Sequence, residues 1–373
     1  MVSQMPDPLP AQGVPAAAQS CAPMGDWLAL TMGDACGIGP EIIAKWWGLD
    51  GRAVVIGCPR VMRRAAGWLP AEQAPEVVAL SDWRDASSLT GGQMGVWAPP
   101  GLPDDLLDAP LGQVDRRAGV AAAACIRAAV WLAQRAEVGA IVTAPLHKEA
   151  LALAGEPYPG HTELLQAEGA PPGQPPAPVR MMLANRQLRT VLVTIHVSLR
   201  QAIEQVTFDS VLETLRITHR SAALWGQPRP RIAVAGLNPH AGEAGLFGSE
   251  ETDIIGPAIR AAQAEGIDAS GPWAPDTIFM RARHDPPRHT GEFDVVVAMY
   301  HDQGLIPVKY LGLDEGVNVT LGLPFVRTSP DHGTAFDLAG TGRADEGSFA
   351  EAAAMARLLL AGRSGGGALA PAR

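Results

Sequence analysis

Several short stretches of this chain are apolar at every position rather than at alternate ones, among them LAL, AVVI, AIV, VLV, IAVA and VVVA. A strand with one wet face alternates, whereas a strand covered on both faces has no reason to. Helical stretches lie between these runs. The clearest covers residues 115–137, DRRAGVAAAACIRAAVWLAQRAE, with Asp115 as its N-cap. Others fall near 209–224 and 249–265, and a last one at FAEAAAMARLLLAG. Buried strands alternating with helices predict an α/β fold with mostly parallel sheets and helices on both faces. GVNVTLGLP reads as a further strand. Residues 70–112 are rich in Pro, Gly and Asp and show no clear element, and APPGQPPAP (170–178) can be neither helix nor central strand.

The chain has 373 residues, long enough for two domains. Its net charge of −10 argues against nucleic acid or an anionic membrane as the main partner, while leaving room for a local basic pocket. No uncharged apolar run reaches the roughly 18 residues needed to cross a bilayer. The four cysteines, Cys21, Cys36, Cys58 and Cys125, form no C-x-x-C pair. That fits a reducing, cytoplasmic setting with no zinc ribbon or redox motif. Residues 1–24 lack Lys and Arg and are rich in Pro, Ala and Gln, so they read as a disordered leader and not as a secretory signal. Residues 367–373 read as a flexible tail.

Three apolar runs lead into histidine: VLVTIH at His196, IAVAGLNPH at His240 and VVVAMYHDQG at His301, where the strand ends in a His-Asp-Gln-Gly turn. Ligands in open α/β sheets sit beyond the carboxyl ends of the strands. A lone histidine there is usually structural. Three of nine in the same placement form a sound divalent-metal set with positions left open for substrate oxygens. Imidazole leaves the metal open among zinc, iron, nickel and copper. Asp302 would orient His301 or simply cap the turn.

PGHTELL places His161, Thr162 and Glu163 at a helix start, whose free N–H groups suit a phosphate or carboxylate. The plainer reading is Thr162 as an N-cap. Lys309 follows His301 by eight residues, with Asn318 and Arg327 beyond it. The two cations are either surface charges or part of an anion pocket, and the charge-poor stretches around them, LIPVKYLGL and LGLPFVRTS, favour the pocket. GDACGIGPE has neither G-x-G-x-x-G nor G-K-[ST], so a tight strand-to-helix turn with Pro40 at the helix start explains it.

In order along the chain stand MGDACGIGPEI, TAPLHKEAL, PGHTELL, NPHAGEAGLFGSEE, APDTIF, AMYHDQGLIPVKY and GVNVTLGLPFVRTSPDHGTAFDLAGTGRAD. Together, over residues 28–360, they resemble the 4-hydroxythreonine-4-phosphate dehydrogenase family of vitamin B6 biosynthesis. The resemblance implies oxidation of the C3 hydroxyl of 4-phosphooxy-L-threonine by NAD or NADP. The β-keto acid then loses carbon dioxide to give 3-amino-2-oxopropyl phosphate. It implies one divalent metal per site (Zn, Mg, Mn or Co) on His196, His240 and His301, and substrate contacts at His161, Thr162, Lys309, Asn318 and Arg327. It also implies a homodimer with a shared site, in which His196 and His240 of one subunit meet His301 of the other. Within that chemistry Lys309 would hydrogen-bond or protonate the substrate oxygen and Asp302 would stand behind His301; these are the catalytic side chains expected.

DHGTAFDLAGTGRAD is similar to the adenine-binding loop of isocitrate and isopropylmalate dehydrogenases. That likeness implies their fold, a nicotinamide dinucleotide near His332, Gly333, Thr334, Ala335 and Asp345, and no dinucleotide fingerprint. It divides the chain into two α/β/α domains: residues 25–154 with 304–366, carrying the cofactor loop, and residues 155–303, carrying metal ligands and dimer contacts. Three departures stand out: Ala35-Cys36 where Pro-Ala is usual, Ser249 where arginine is common, and the added RARHDPPRH at 281–289. None removes a ligand, but they bear on the substrate, for which 4-phospho-D-threonate or erythronate is the alternative. A dihydrodiol dicarboxylate fits the phosphate-directed motifs less well. An acyl-phosphate transferase of the same broad fold, or a sensor without activity, would not need the three histidines.

Overall fold

The computed structural model describes residues 25–47, 52–171, 173–312 and 315–364; the leader expected at 1–24 and the tail at 367–373 lie outside them. Twelve strands form one sheet. They are β1 (Leu28–Thr31), β2 (Ala53–Ile56), β3 (Glu76–Leu80), β4 (Gln93–Trp97), β5 (Ala140–Thr143), β6 (Arg180–Ala184), β7 (Arg189–Leu192), β8 (Ile232–Ala235), β9 (Ala269–Trp273), β10 (Val295–Ala298), β11 (Val317–Leu321) and β12 (Val326–Pro330). Their order is β3-β4-β2-β1-β5-β12-β11-β6-β7-β10-β8-β9. All pairings are parallel except β12–β11, β11–β6 and β6–β7. The antiparallel block therefore lies mid-sheet, flanked by two parallel blocks.

The runs that are apolar throughout are the inner parallel strands: β1, β2, β5, β8 and β10 are buried at every residue. The helix expected at 115–137 is Arg116–Gln134, and Asp115 caps it by accepting a 2.8 Å hydrogen bond from the Arg117 N–H. Five strands are absent from the reading above. β3 and β4 lie in the segment that showed no element, and β3 is a half-exposed edge. β9, ASGPW, closes the opposite edge, where a proline is tolerated. β6 (RMMLA) is a short apolar run led by a half-buried arginine, and β12 (VRTSP) carries polar residues at buried positions. The His-Asp-Gln-Gly segment needs correction: it is not a turn but the first turn of a helix, His301–Leu311. The strand-to-helix change falls at Tyr300, whose backbone is still extended.

Helix Lys148–Leu153, which follows β5 into the site, packs on helix Arg116–Gln134 at Gly119. A Cβ on Gly119 would lie 1.9 Å from the Ala150 carbonyl oxygen. Gly119→Ala should therefore destabilise the chain by about 1–3 kcal/mol despite alanine's better helix propensity. Urea unfolding is expected to show a lower midpoint at unchanged slope; a midpoint equal to wild type would mean that the two helices separate at no cost.

Candidate active site

Beyond the carboxyl ends of β7, β10 and β12 lies a cleft of 890 Å³. His161, Thr162, His196, His301, Lys309, Asn318, Arg327, His332 and Gly333 all line it. His240, Asp302, Thr334, Ala335 and Asp345 do not.

His196 and His301 reach the cleft by different routes. After β7 the chain stays against the end of β10: Val193 N–H donates to the Ala298 carbonyl at 2.9 Å, and Thr194 Oγ1 donates to the Met299 carbonyl at 2.8 Å. His196 follows with φ +37°, a left-handed conformation that a side-chain-bearing residue holds only when its surroundings enforce it. On the other side, each residue of HDQG has a task. His301 faces the cleft, and its Nδ1 is 2.8 Å from Asp302 Oδ1. Gln303 ties strand ends together, accepting from Met299 N–H at 2.7 Å and donating to the Gly236 carbonyl at 2.8 Å. Gly304 lets the helix sit on β7, since a Cβ there would meet Leu192 Cδ2 at 2.4 Å.

The ring centres of His196 and His301 are 5.6 Å apart within one chain. Two imidazoles sharing a zinc ion at about 2 Å per nitrogen hold their ring centres roughly 5–6 Å apart, so the pair fits a divalent cation. Burial, then Lys148 and His301, lower the pKa of His196, which favours the neutral ring that a metal needs. His301 shows the carboxylate-to-Nδ1 contact that fixes a ligand's tautomer, leaving Nε2 for the cleft. His240 stands apart. It opens a turn, Pro239–Gly245, in which φ is positive from His240 to Ala244, and its ring lies 6.1 Å from that of Phe247. The buried Glu251 pins this turn by accepting from the backbone N–H groups of Leu237 and Asn238, both at 2.7 Å. Among the described residues no three His, Cys, Asp or Glu side chains come together as a metal set.

The other half of the cleft is cationic. Thr162 is not an N-cap; helix His161–Glu168 starts from the extended Gly160 with no side-chain cap. His161 is half-buried, desolvation and Arg327 hold its pKa well below the usual value, and its buried Nε2 has no partner among the described residues. Arg327 is not a surface charge. It is 2 % exposed, donates to Thr143 Oγ1 at 2.7 Å and to Thr320 Oγ1 at 3.0 Å, and its Nε is unpartnered. Burial pulls its pKa down to about 10, with Glu163 opposing. Sequence reasoning missed Lys148, Arg180 and Asp331, which also line the cleft. Counting these, four cations face two carboxylates, Glu163 and Asp331. The lining is thus net positive in a chain whose net charge is −10.

The expected cofactor loop runs from this cleft onto the GDACGIGPE turn. His332 and Gly333 are exposed at the cleft, whereas the buried Thr334 uses its carbonyl to accept from Ile38 N–H at 3.0 Å. Gly37 permits that approach, because a Cβ would meet Thr334 Cβ at 2.9 Å. Fully buried Glu41 accepts from Ala344 N–H at 2.8 Å and from Gly342 N–H at 3.3 Å. Asp345 Oδ1 accepts from Gly347 N–H at 2.7 Å, at the start of helix Gly347–Ser364. Of the glycines of this turn, Gly37 serves loop docking, while Gly33 and Gly39 permit close approach of Pro145 and Met32 backbone.

A family described as "Pyridoxal phosphate biosynthetic protein PdxA" matches residues 50–356. The chain belongs to this family. It is 53 % identical over 326 residues to the 4-hydroxythreonine-4-phosphate dehydrogenase of Beijerinckia indica, covering 86 % of this chain and 91 % of that one. It is 44 % identical over 338 residues to the D-threonate 4-phosphate dehydrogenase of Salmonella typhimurium, covering 89 % and 98 %. The crystal structure of the 4-hydroxythreonine-4-phosphate dehydrogenase of Klebsiella pneumoniae superposes with a TM-score of 0.79 at 43 % identity, over 90 % of this chain and 99 % of that one. A PdxA-family chain is a dehydrogenase, so the cleft belongs to an oxidoreductase. Among the described residues no helix is long and apolar enough to cross a membrane.

Arg327 gives a test with opposite signs. Arg327→Met removes a buried guanidinium that has no carboxylate partner among the described residues, so unfolding stability should hold or rise. Affinity for inorganic phosphate should fall roughly 10- to 150-fold, as expected for loss of a charge-assisted contact. Calorimetric titration with phosphate beside a thermal melt checks both; a variant that binds phosphate like wild type would place the anion elsewhere.

Proposed function

We propose that this chain catalyses the metal- and NAD(P)-dependent oxidation of 4-phosphooxy-L-threonine to a β-keto acid that decarboxylates to 3-amino-2-oxopropyl phosphate, a step of pyridoxal phosphate biosynthesis. The observation that carries this reading is one cleft that joins an imidazole pair to a buried guanidinium lacking a carboxylate. His196 and His301 would hold a divalent cation, which when bound would supply Lewis acidity at the reacting oxygen, and a bound nicotinamide would supply the hydride acceptor. The chain does the rest. Arg327, His161 and Thr162 hold the phosphate or carboxylate, and Asn318 and Lys309 orient the polar backbone of the substrate. Lys309 Nζ donates a hydrogen bond to the oxygen on the carbon being oxidised. Asp302 holds the proton on His301 Nδ1. His332, Gly333, Thr334, Ala335 and Asp345 form the dinucleotide side.

NAD and NADP reduction should be assayed against 4-phosphooxy-L-threonine, 4-phospho-D-threonate, 4-phospho-D-erythronate and their unphosphorylated forms. Turnover of 4-phosphooxy-L-threonine is expected, and preference for a threonate or erythronate phosphate would replace the substrate but not the chemistry. Turnover of unphosphorylated acids alone would remove the anion pocket from the account. A chelator should abolish turnover, and zinc, cobalt, manganese or magnesium should restore it to differing degrees.

The third imidazole, His240, is proposed to come from a second copy of the chain in a homodimer. Exposed apolar side chains beside each histidine support this: Val197, Leu199 and Ile203 after His196, Ile306 and Tyr310 on the His301 helix, and Leu246 and Phe247 after His240. This division, with His196 and His301 on one chain, differs from the one implied by the resemblance. Mixed refolding of inactive variants separates the two. His240→Ala with His301→Ala should recover roughly a quarter of wild-type activity on either division, since half the dimers are mixed and each has one intact site. His196→Ala with His240→Ala should recover the same quarter only on the present division. Recovery by His196→Ala with His301→Ala instead would restore the other division, and no recovery in any mixture would confine the ligands to one chain.

A further inference from the structure

From VRTSPD, Arg327, Ser329 and Asp331 line the cleft, together with Pro330. The first brings a guanidinium and the second a hydroxyl. The third brings a carboxylate, which weakens binding of any anion and so calls for another reason to be there. Asp331 Oδ2 lies 2.7 Å from Lys309 Nζ. Lys309 belongs to the stripe His301–Leu305–Lys309, which lines the cleft along one face of its helix. Its ammonium is a point charge on a flexible stem, and only a partner can select one of its rotamers.

The backbone that carries this partner is tied down, while its Oδ2 has the Lys309 ion pair and no hydrogen bond among the described residues. Asp331 is 12 % exposed at its side chain. Its N–H donates to Ser348 Oγ at 3.3 Å, and that hydroxyl donates to the Gly316 carbonyl at 3.0 Å. The residues directly after it, His332 and Gly333, open the cofactor loop and also line the cleft. The pair therefore stands where the expected substrate and dinucleotide sides adjoin.

We propose that Asp331 is a positioning residue that holds the Lys309 ammonium in place for the chemical step, at the expense of anion affinity. The proposal rests on the dehydrogenase reading above. Asp331→Asn keeps the size and removes the charge. In holoenzyme with saturating metal and dinucleotide, kcat should fall about ten- to a hundredfold, the scale of a misplaced group. KM for the phosphorylated substrate should stay level or drop. Asp331→Glu should recover most of kcat. Because Asp331 acts through Lys309, adding Asp331→Asn to Lys309→Ala should cost kcat nothing further. A role confined to folding would instead lower stability and affinity together, and Glu would not rescue. That outcome, or full additivity with Lys309→Ala, would overturn the proposal.

Binding of inorganic phosphate gives a second arm that needs no turnover. Asp331→Asn should tighten phosphate binding several-fold when Lys309 is present, by freeing the ammonium, and clearly less in the Lys309→Ala background. Equal tightening in both backgrounds would mean a through-space charge effect without pairing, and would overturn the proposal. Should wild type reduce no dinucleotide with any phosphorylated hydroxy acid, the dehydrogenase reading fails. A missing coupling in the phosphate cycle would also refute the pairing, whereas an intact coupling would leave it standing.

Discussion

A guanidinium held in the sheet by two threonine hydroxyls, with no carboxylate bonded to it, is the constraint around which this site is arranged. Arg327 sits on β12, between parallel β5, which supplies Thr143, and antiparallel β11, which supplies Thr320. Both hydroxyls are neutral acceptors, so they orient the cation without discharging it. An ionised group so placed is costly until an anion arrives. The mid-sheet reversal of strand direction is what makes the seat available. It places Asn318 of β11 opposite Ser329 of β12, so neighbouring strands running opposite ways present polar side chains to the same cleft.

The imidazole side rests on strand ends that are cross-tied. Gln303 is a residue with no chemistry to perform, yet its amide joins the end of β10 to the end of β8 and so fixes where the His301 helix begins. Gly304 sets how closely that helix lies on β7, and the Thr190 hydroxyl donates to the Gly304 carbonyl at 3.1 Å. Three polar contacts and one missing side chain thus convert a β-strand end into a rigid mount for an imidazole. The left-handed backbone of His196 is tolerable because the residues before it are bonded to the same strand end.

Much of this was legible in the residues. The all-apolar runs became the buried parallel strands because burial on both faces removes the need for alternation. His196, His301, Lys309, Asn318 and Arg327 share a cleft because each follows or belongs to a strand at the same edge. What stayed hidden was polar sequence in buried places. β12 is buried at every residue yet spells VRTSP, since its guanidinium donates to threonine hydroxyls on β5 and β11 and its Thr328 hydroxyl donates to the Ala352 carbonyl, and hydropathy cannot register that. Tyr300 ends a strand and His301 starts a helix with no proline or capping serine to mark the change, so HDQG reads as a turn. Thr162 resembles a cap, but the extended Gly160 takes that position.

The charge distribution follows from the same economy of placement. A chain carrying −10 overall would repel a phosphorylated acid at long range, since such fields act over the whole surface. Screening confines that repulsion to within about 8–10 Å of each charge at physiological salt. Inside the cleft the balance is reversed, and its strongest cation is desolvated, where each contact to an anion counts for more than at the surface. Recognition can then be local: a small dianion gains once it reaches Arg327, while a long polyanion such as nucleic acid meets the acidic exterior first. On the proposed function the acidic composition and the cationic cleft would act as parts of one selectivity, the exterior disfavouring large anions and the interior favouring small ones.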